Sequence, residues 1–307
     1  MKIYSNIKEF NAQNKTILTL GTFDGVHVGH RKIIEQLTQI ASKDQLESVV
    51  LTFFPHPRMV LQDADIKLLN TIEEKTNLMA NLGVDHFIIH PFDKEFSRLT
   101  AQEFVEEILV NKLRIAKIII GYDHRFGRNR TANIDDLTAF GKTYGFEVIQ
   151  ISAQEIEDVS VSSTKIRNAL LEGNITLANQ YLTQPYLLSG TVETGNGIGK
   201  TIQFPTANLK IDTSYKLIPK NGVYAVRSFL NNQWVHGMMN IGNNPTVSGK
   251  KTTIEIHFFE WNENLYNKKI VVELIEFIRD EKKFENLEAL QNQLLKDQTF
   301  CLNQVFI

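Results

Sequence analysis

The chain has 307 residues, 42% of them hydrophobic, and a net charge of -2 from 33 Lys and Arg against 35 Asp and Glu. That balance excludes a surface built for sequence-independent attraction to nucleic acid, and a single cysteine, Cys301, excludes an internal disulfide framework and a cysteine-based zinc cluster. The length suits about two domains; a lone thiol, no signal-peptide pattern and no long apolar run give a cytoplasmic protein without a membrane partner.

Short apolar runs at 16–20, 48–54, 86–89, 116–120 and 146–151 predict strands, and helical patterns lie between them. The clearest helix carries Ile33, Ile34, Leu37, Ile40 and Ala41 on one face. Others cover 71–82 and 100–113, the latter opened by a Thr-x-x-Glu cap at Thr100 and Glu103. The alternation predicts an α/β doubly wound parallel sheet. The unusual segments each follow a strand: Gly21-Thr-Phe-Asp-Gly-Val-His-Val-Gly-His30, then Pro55-His-Pro57, His90-Pro-Phe92 and Gly121-Tyr-Asp-His-Arg-Phe-Gly127. Carboxyl ends of parallel strands share one edge, where ligands bind, so these segments are expected to line one crevice.

Ser162-Ser-Thr-Lys-Ile-Arg167 opens two short helical patterns, and near residue 183 the chain changes character. Runs at 187–192, 223–229, 234–241, 252–259 and 270–275, separated by Gly, Asn and Pro, predict a small antiparallel barrel or sandwich. A closing helix over 286–295 has Leu287, Leu290, Leu294 and Leu295 on one stripe. The expected domains are 1–183 and 184–307.

The chemistry is that of phosphates. In His27-Val-Gly-His30 the glycine admits a phosphate to a helix N-terminus, whose amides and dipole favour anions, and two imidazoles can stabilise charge on a nucleotide α-phosphate. The plainer alternatives are a histidine helix cap or a zinc pair. Ser162 to Arg167 offers three hydroxyls, an ammonium and a guanidinium suited to a departing pyrophosphate; its plainer alternative is a serine-rich cap with solvated Lys165 and Arg167. Arg125, Arg128 and Arg130 read as a solvated loop beside the crevice, and Pro55-His56-Pro57 as a rigid turn that could wall a ring system.

Gly195-Asn-Gly-Ile-Gly-Lys-Thr201 is not a Walker loop, since it sits among strands, but its amides can fold over triphosphate oxygens. In Phe204-Pro-Thr-Ala-Asn208, Thr206 and Asn208 offer the hard oxygen ligands that magnesium accepts. Alternation in Thr252-Thr-Ile-Glu-Ile-His-Phe258 turns Glu255 away from Ile254 and Ile256, so its carboxylate either accepts a proton from an alcohol nucleophile or simply faces solvent.

Taken together, Gly21 to His30, Ser162 to Arg167, Gly195 to Asn208 and Phe277-Ile-Arg-Asp-Glu281 resemble the bacterial bifunctional riboflavin kinase and FMN adenylyltransferase family, over nearly the whole chain. The resemblance implies a nucleotidyltransferase domain followed by a β-barrel kinase domain with a C-terminal helix. It implies ATP-dependent phosphorylation of riboflavin to FMN, then adenylylation of FMN to FAD with release of pyrophosphate, both with magnesium. By the same resemblance Glu255 is the kinase base, Thr206 and Asn208 the metal and phosphate ligands, and Gly195, Gly197, Gly199, Lys200 and Thr201 the nucleotide loop. Arg279 lies near the flavin. In the first domain His27 and His30 match the nucleotide-binding pair, Ser162, Ser163, Thr164 and Arg167 the pyrophosphate cluster, and Asp24, Pro57, Asp123 and Phe126 the flavin-side wall, with Gly21, Phe23 and Gly29 as further cofactor-binding positions. His124 stands where the family often has an aromatic residue, Gln203 where it has glycine before Phe-Pro-Thr, and Asn267 follows Leu-Tyr where glycine is common.

Partners are expected to be ATP, riboflavin and FMN, with no nucleic acid and at most weak self-association. Two other readings stay open: a monofunctional enzyme with one decayed domain, and a flavin-binding regulator without turnover.

Overall fold

A computed structural model describes residues 1–121, 125–151, 161–195, 199, 202–246 and 249–306, with the main chain alone at 244–246 and 249–251. Residues 1–68 with 72–161 form one compact unit, and 69–71 with 162–307 the other. The helices Ser163–Glu172 and Ile175–Leu182 therefore group with the second unit, although the sequence reading ends the first domain at 183.

In the first unit β1 (Lys2–Tyr4), β2 (Thr16–Leu20), β3 (Glu47–Phe53), β4 (His86–His90), β5 (Ile115–Gly121) and β6 (Glu147–Ile151) form one sheet in the order β1-β4-β3-β2-β5-β6. Every pairing is parallel. All five residues of β2 are buried, the signature of a strand covered on both faces. Ile17, Val50, Phe87 and Ile119 pack on one side with Ile34, Leu37 and Ala41 of the helix Val28–Asp44. Leu18, Val49, Leu51 and Ile118 pack on the other with Leu109 and Leu113. From β2 the chain steps through β3 to β4, then crosses back to lay β5 on the other flank of β2. The switch between β2 and β5 opens a crevice at their carboxyl ends.

The expected helix over 71–82 is Ile72–Asn81, and that over 100–113 is an α-turn, Ala101–Glu103, running on as a π-helix, Phe104–Lys112. Its capping box is formed: the Glu103 amide donates to Thr100 Oγ1 at 3.2 Å, and the Thr100 amide donates to the Glu103 carboxylate at 2.8 Å.

In the second unit β7 (Tyr186–Glu193), β8 (Ala207–Lys210), β9 (Gly222–Leu230), β10 (Gln233–Thr246), β11 (Gly249–Phe258) and β12 (Lys269–Arg279) close into an antiparallel barrel in the order β10-β11-β8-β7-β12-β9. Closure leaves no strand edge unpaired. β1 and β8 were not among the expected strands. Val192, Leu209, Met239, Ile241, Ile254, Ile256, Val272 and Leu274 are all buried on their strands.

The closing helix is Leu287–Phe300, capped by Asn286 Oδ1, which accepts from the Ala289 amide at 2.8 Å. Its Leu290 and Leu294 pack on a buried cluster of Ile202, Phe204, Ala225, Met238, Phe259 and Cys301. A bidentate pair locks it: Arg279 Nε donates to both Asp297 oxygens at 3.0 Å and Nη2 to Oδ2 at 2.7 Å, with Asp297 only 2% exposed.

Candidate active sites

The first site is built by the turn that carries β2 into the helix Val28–Asp44. Phe23 (φ 44°), Gly25 (φ 89°) and Val26 (φ 42°) take left-handed backbone. Non-glycine residues held so store about 1–3 kcal/mol each and persist only where the surroundings force them. Gly21 is needed for a different reason: a Cβ there would sit 3.3 Å from the Phe23 ring, so the glycine gives that ring its seat. Phe23, 3% exposed, meets His30 edge-on with centroids 5.2 Å apart.

His27 occupies the N-cap position and His30 lies one turn on, and their rings stack at 3.7 Å and 20°. His27 makes no side-chain cap hydrogen bond, which removes the capping alternative for it. Nδ1 of each ring is buried without a hydrogen-bond partner. Burial pushes His27 down to about 4. It pushes His30 well below 6.5, with the charges of His27 and Lys75 adding in the same direction. At neutral pH both rings are uncharged, each with one N–H to donate, at a helix N-terminus whose potential favours an anion. Among the described residues no group of three or more His, Cys, Asp and Glu could hold a metal, so the zinc-pair alternative finds no further ligands there.

Other expected residues of this unit fall as follows. Gly29 is buried as the second residue of the helix. Asp24 is 1% exposed and its charge bears on Lys75. Pro57 starts the short helix Pro57–Leu61, which His56 caps by accepting from the Arg58 amide at 3.1 Å. Phe126 is buried among core side chains, its ring 6.1 Å from that of Phe104. Asp123 and His124 lie outside the described residues. The sequence reading missed Lys75, 3% exposed, whose ammonium donates to the Thr22 carbonyl at 2.7 Å.

Ser162, Ser163, Thr164 and Arg167 belong to the second unit. Ser162 is the N-cap of Ser163–Glu172, its hydroxyl accepting from the Lys165 amide at 3.3 Å, so the serine-cap reading holds for that residue.

The second site is a row across the barrel wall. Glu255 on β11 stands opposite Asn208 of β8 on one side and Asn240 of β10 on the other. Directly opposed residues share a face with Cβ atoms about 5 Å apart. Ile254 and Ile256 are 4% and 1% exposed, so Glu255 points away from the interior, as alternation predicts. Burial raises its carboxyl above the ordinary range, which makes it a stronger base once ionised. Thr206 lies two residues before Asn208, on the same side of an extended chain.

Close packing brings the glycine loop onto this row. A Cβ at Gly195 would fall 2.0 Å from Asn208 Nδ2, and one at Gly199 would fall 2.2 Å from the Phe204 carbonyl oxygen. His257, two residues past Glu255, donates from Nδ1 to the Pro205 carbonyl at 2.8 Å and so ties the segment carrying Thr206 to β11. Gly197, Lys200 and Thr201 lie outside the described residues. Arg279 is committed to Asp297 and to the Asp280 carbonyl, at 3.0 Å from Nη1.

The Gly195 contact gives a direct expectation. In Gly195→Ala the Asn208 amide must swing aside, since it is a side-chain end and the cheapest thing to move. FMN formation should fall by about a hundredfold while the melting temperature stays near the parent's. Unchanged turnover would show that Asn208 is not needed where it lies.

A family model described as FAD synthetase matches residues 9–165, and one described as riboflavin kinase matches 182–305. The bifunctional riboflavin kinase/FMN adenylyltransferase of Listeria monocytogenes serovar 1/2a is 39% identical over 285 residues, covering 92% of this chain and 90% of the relative. The chain belongs to the bifunctional riboflavin kinase/FMN adenylyltransferase family.

The family member of Escherichia coli strain K12 is 36% identical over 288 residues, covering 93% of this chain and 91% of its own. A crystal structure described as a macrolide-efflux protein from Streptococcus pneumoniae has the same fold, with a TM-score of 0.90, 31% identity and 98% of each chain covered. Efflux is a description of that protein; among the described residues here no helix is long and apolar enough to cross a membrane.

Proposed function

We propose that the His27 and His30 pair carries FMN adenylylation and that Glu255 is the base for riboflavin phosphorylation. The two reactions are those of the family: ATP phosphorylates riboflavin to FMN, and a further ATP adenylylates FMN to FAD with release of pyrophosphate. ATP and flavins are therefore the substrates. One observation carries the assignment of residues: the stacked imidazoles lie in one unit and the Asn208, Glu255, Asn240 row in the other.

In the kinase reaction the Glu255 carboxylate takes the proton of the ribityl 5′-hydroxyl as that oxygen attacks the γ-phosphate of ATP, and the bond to the β–γ bridging oxygen breaks to release ADP. The transition state is loose, so positioning and charge stabilisation supply most of the acceleration. Gly195 and Gly199, with Gly197, Lys200 and Thr201, are proposed to cover the triphosphate. Thr206 and Asn208 are the oxygen donors fitted to magnesium, and the Gly195 surface, flush against the Asn208 amide, fits a cradle of that kind. Magnesium bound with ATP would neutralise phosphate charge there.

In the adenylyl transfer the FMN phosphate attacks the α-phosphate of ATP. His27 and His30 donate hydrogen bonds to the charge that develops, with the amides at Gly29 and the helix dipole behind them. Ser162, Ser163, Thr164 and Arg167 are proposed to receive pyrophosphate, Asp24, Pro57, Asp123 and Phe126 to border the flavin side, and Gly21, Phe23 and Gly29 to be further cofactor-binding positions. Arg279, by anchoring the closing helix, is proposed to support the flavin pocket of the kinase. The functional domains are taken as 1–183 and 184–307, the setting as cytoplasmic, and any self-association as weak.

The test is a time course. The full chain with riboflavin, ATP and magnesium, resolved by chromatography, should give FMN first and FAD after it. If neither accumulates the reading fails, and if only one does the monofunctional alternative replaces it.

A further inference from the structure

Lys75 lies on Ile72–Asn81 with 3% of its surface exposed. Burying an ammonium is costly, so its surroundings must compensate. They do so at one place, the start of the strained turn. The Lys75 ammonium donates to the Thr22 carbonyl at 2.7 Å, across 53 residues of chain, and the Thr52 hydroxyl donates to the same oxygen at 3.2 Å. Next along the turn, the buried Asp24 supplies a negative charge that favours the ammonium. The Lys75 charge also opposes protonation of the buried His30.

We propose that Lys75 is a positioning residue for adenylyl transfer, holding the Thr22 to Val26 turn, and through it the His27 and His30 pair, in shape. The proposal rests on reading that pair as the adenylyl site. Without the ammonium, the Thr22 carbonyl loses its charged donor and the left-handed turn loses a tie that offsets its strain. The rings would then shift relative to a bound α-phosphate. Displacement of about 1 Å in such a site can cost about a hundredfold in rate.

The groups that bear on the Lys75 charge are Asp24 from the turn, and His30 with His27 stacked on it from the helix. On its own helix the neighbouring Glu74 is also buried. Burial lowers Lys75 from 10.5 to about 8, against the pull of Asp24. Two consequences have opposite signs. FAD formation should fall as pH rises through about 8 and the ammonium is lost. Stability should rise over about 8 to 10.5, because there the unfolded chain binds the proton that the folded chain has released. A purely structural lysine would give the second trend without the first.

The test uses the full chain and its Lys75→Arg and Lys75→Met variants, assayed for FAD formation from FMN and ATP between pH 6 and 10, with FMN formation from riboflavin as an internal control. Lys75→Met should lose about a hundredfold in FAD formation at pH 7 while FMN formation is unchanged. Lys75→Arg should retain activity and lose the fall near pH 8. Parent-level FAD formation in Lys75→Met, or the same alkaline fall in Lys75→Arg, overturns the proposal; if Lys75→Met fails to fold, the Lys75→Arg profile decides. A His30→Ala variant in the same series separates the two readings, since full FAD formation there would remove the site itself, not the role of Lys75 alone.

Discussion

Glu255→Gln abolishes FMN formation from riboflavin and leaves FAD formation from supplied FMN at the parent rate; that is the expected result. The substitution keeps the shape of the side chain and its place opposite Asn208 and Asn240 on the wall. It removes only the capacity to take a proton, a step worth about 10²–10⁴ in rate. The pH profile sharpens the expectation. Burial raises the Glu255 carboxyl, so the kinase rate should climb with pH above the ordinary carboxylate range and then level. A raised carboxyl favours the folded state below the unfolded value, and that contribution disappears as pH rises through the folded one. At neutral pH the glutamine therefore relieves the chain of a buried charge, and Glu255→Gln should melt no lower than the parent. FMN formation at the parent rate in the variant would exclude Glu255 as the base.

His30→Ala is expected to reverse the pattern, cutting FAD formation by about 10²–10³ and sparing FMN formation. Its ring is stacked on His27 and met edge-on by Phe23, so its loss removes both a donor and the support of its neighbour. Because burial pushes His27 to about 4 and His30 well below 6.5, the parent's adenylyl transfer should show no loss of rate near pH 6.5 from protonation of this pair. The stability cost is separate. Between 6.5 and about 4 the unfolded chain takes up protons that folded His27 refuses, so stability falls with pH across that window. An acid limb of FAD formation centred on 6.5 that vanishes in His30→Ala would contradict a neutral pair.

Much of this was legible because the physics behind it is local. β2 and β3 are apolar runs since both faces of the sheet are covered there, and the Thr100 and Glu103 cap is written in two residues. Glu255 could be turned outward by counting alternate positions. What stayed hidden depends on partners far along the chain. β1 is three residues at the sheet edge, mostly exposed, with no apolar run to betray it. β8 is four residues behind a proline, and reads as a motif before it reads as a strand, yet it is what sets Asn208 opposite Glu255. Lys75 sits in an amphipathic pattern where a lysine reads as solvent-facing; only the tertiary fold brings it to Thr22. The pairing of Arg279 with Asp297 needed the closing helix in position.

The closing helix also sets an order of events during synthesis. Gln291 donates to the Ile202 carbonyl across 89 residues of chain, and Leu290 and Leu294 seat Ile202 and Phe204, at the root of the segment bearing Thr206 and Asn208. Such long-range closure is slow, and a nascent chain emerges N-terminal part first. On a translating ribosome the parallel sheet has every strand it needs well before the barrel acquires its buttress. The sheet of the first unit can thus form while the polypeptide is still growing, whereas the segment bearing Thr206 and Asn208 gains its support only when the final helix docks.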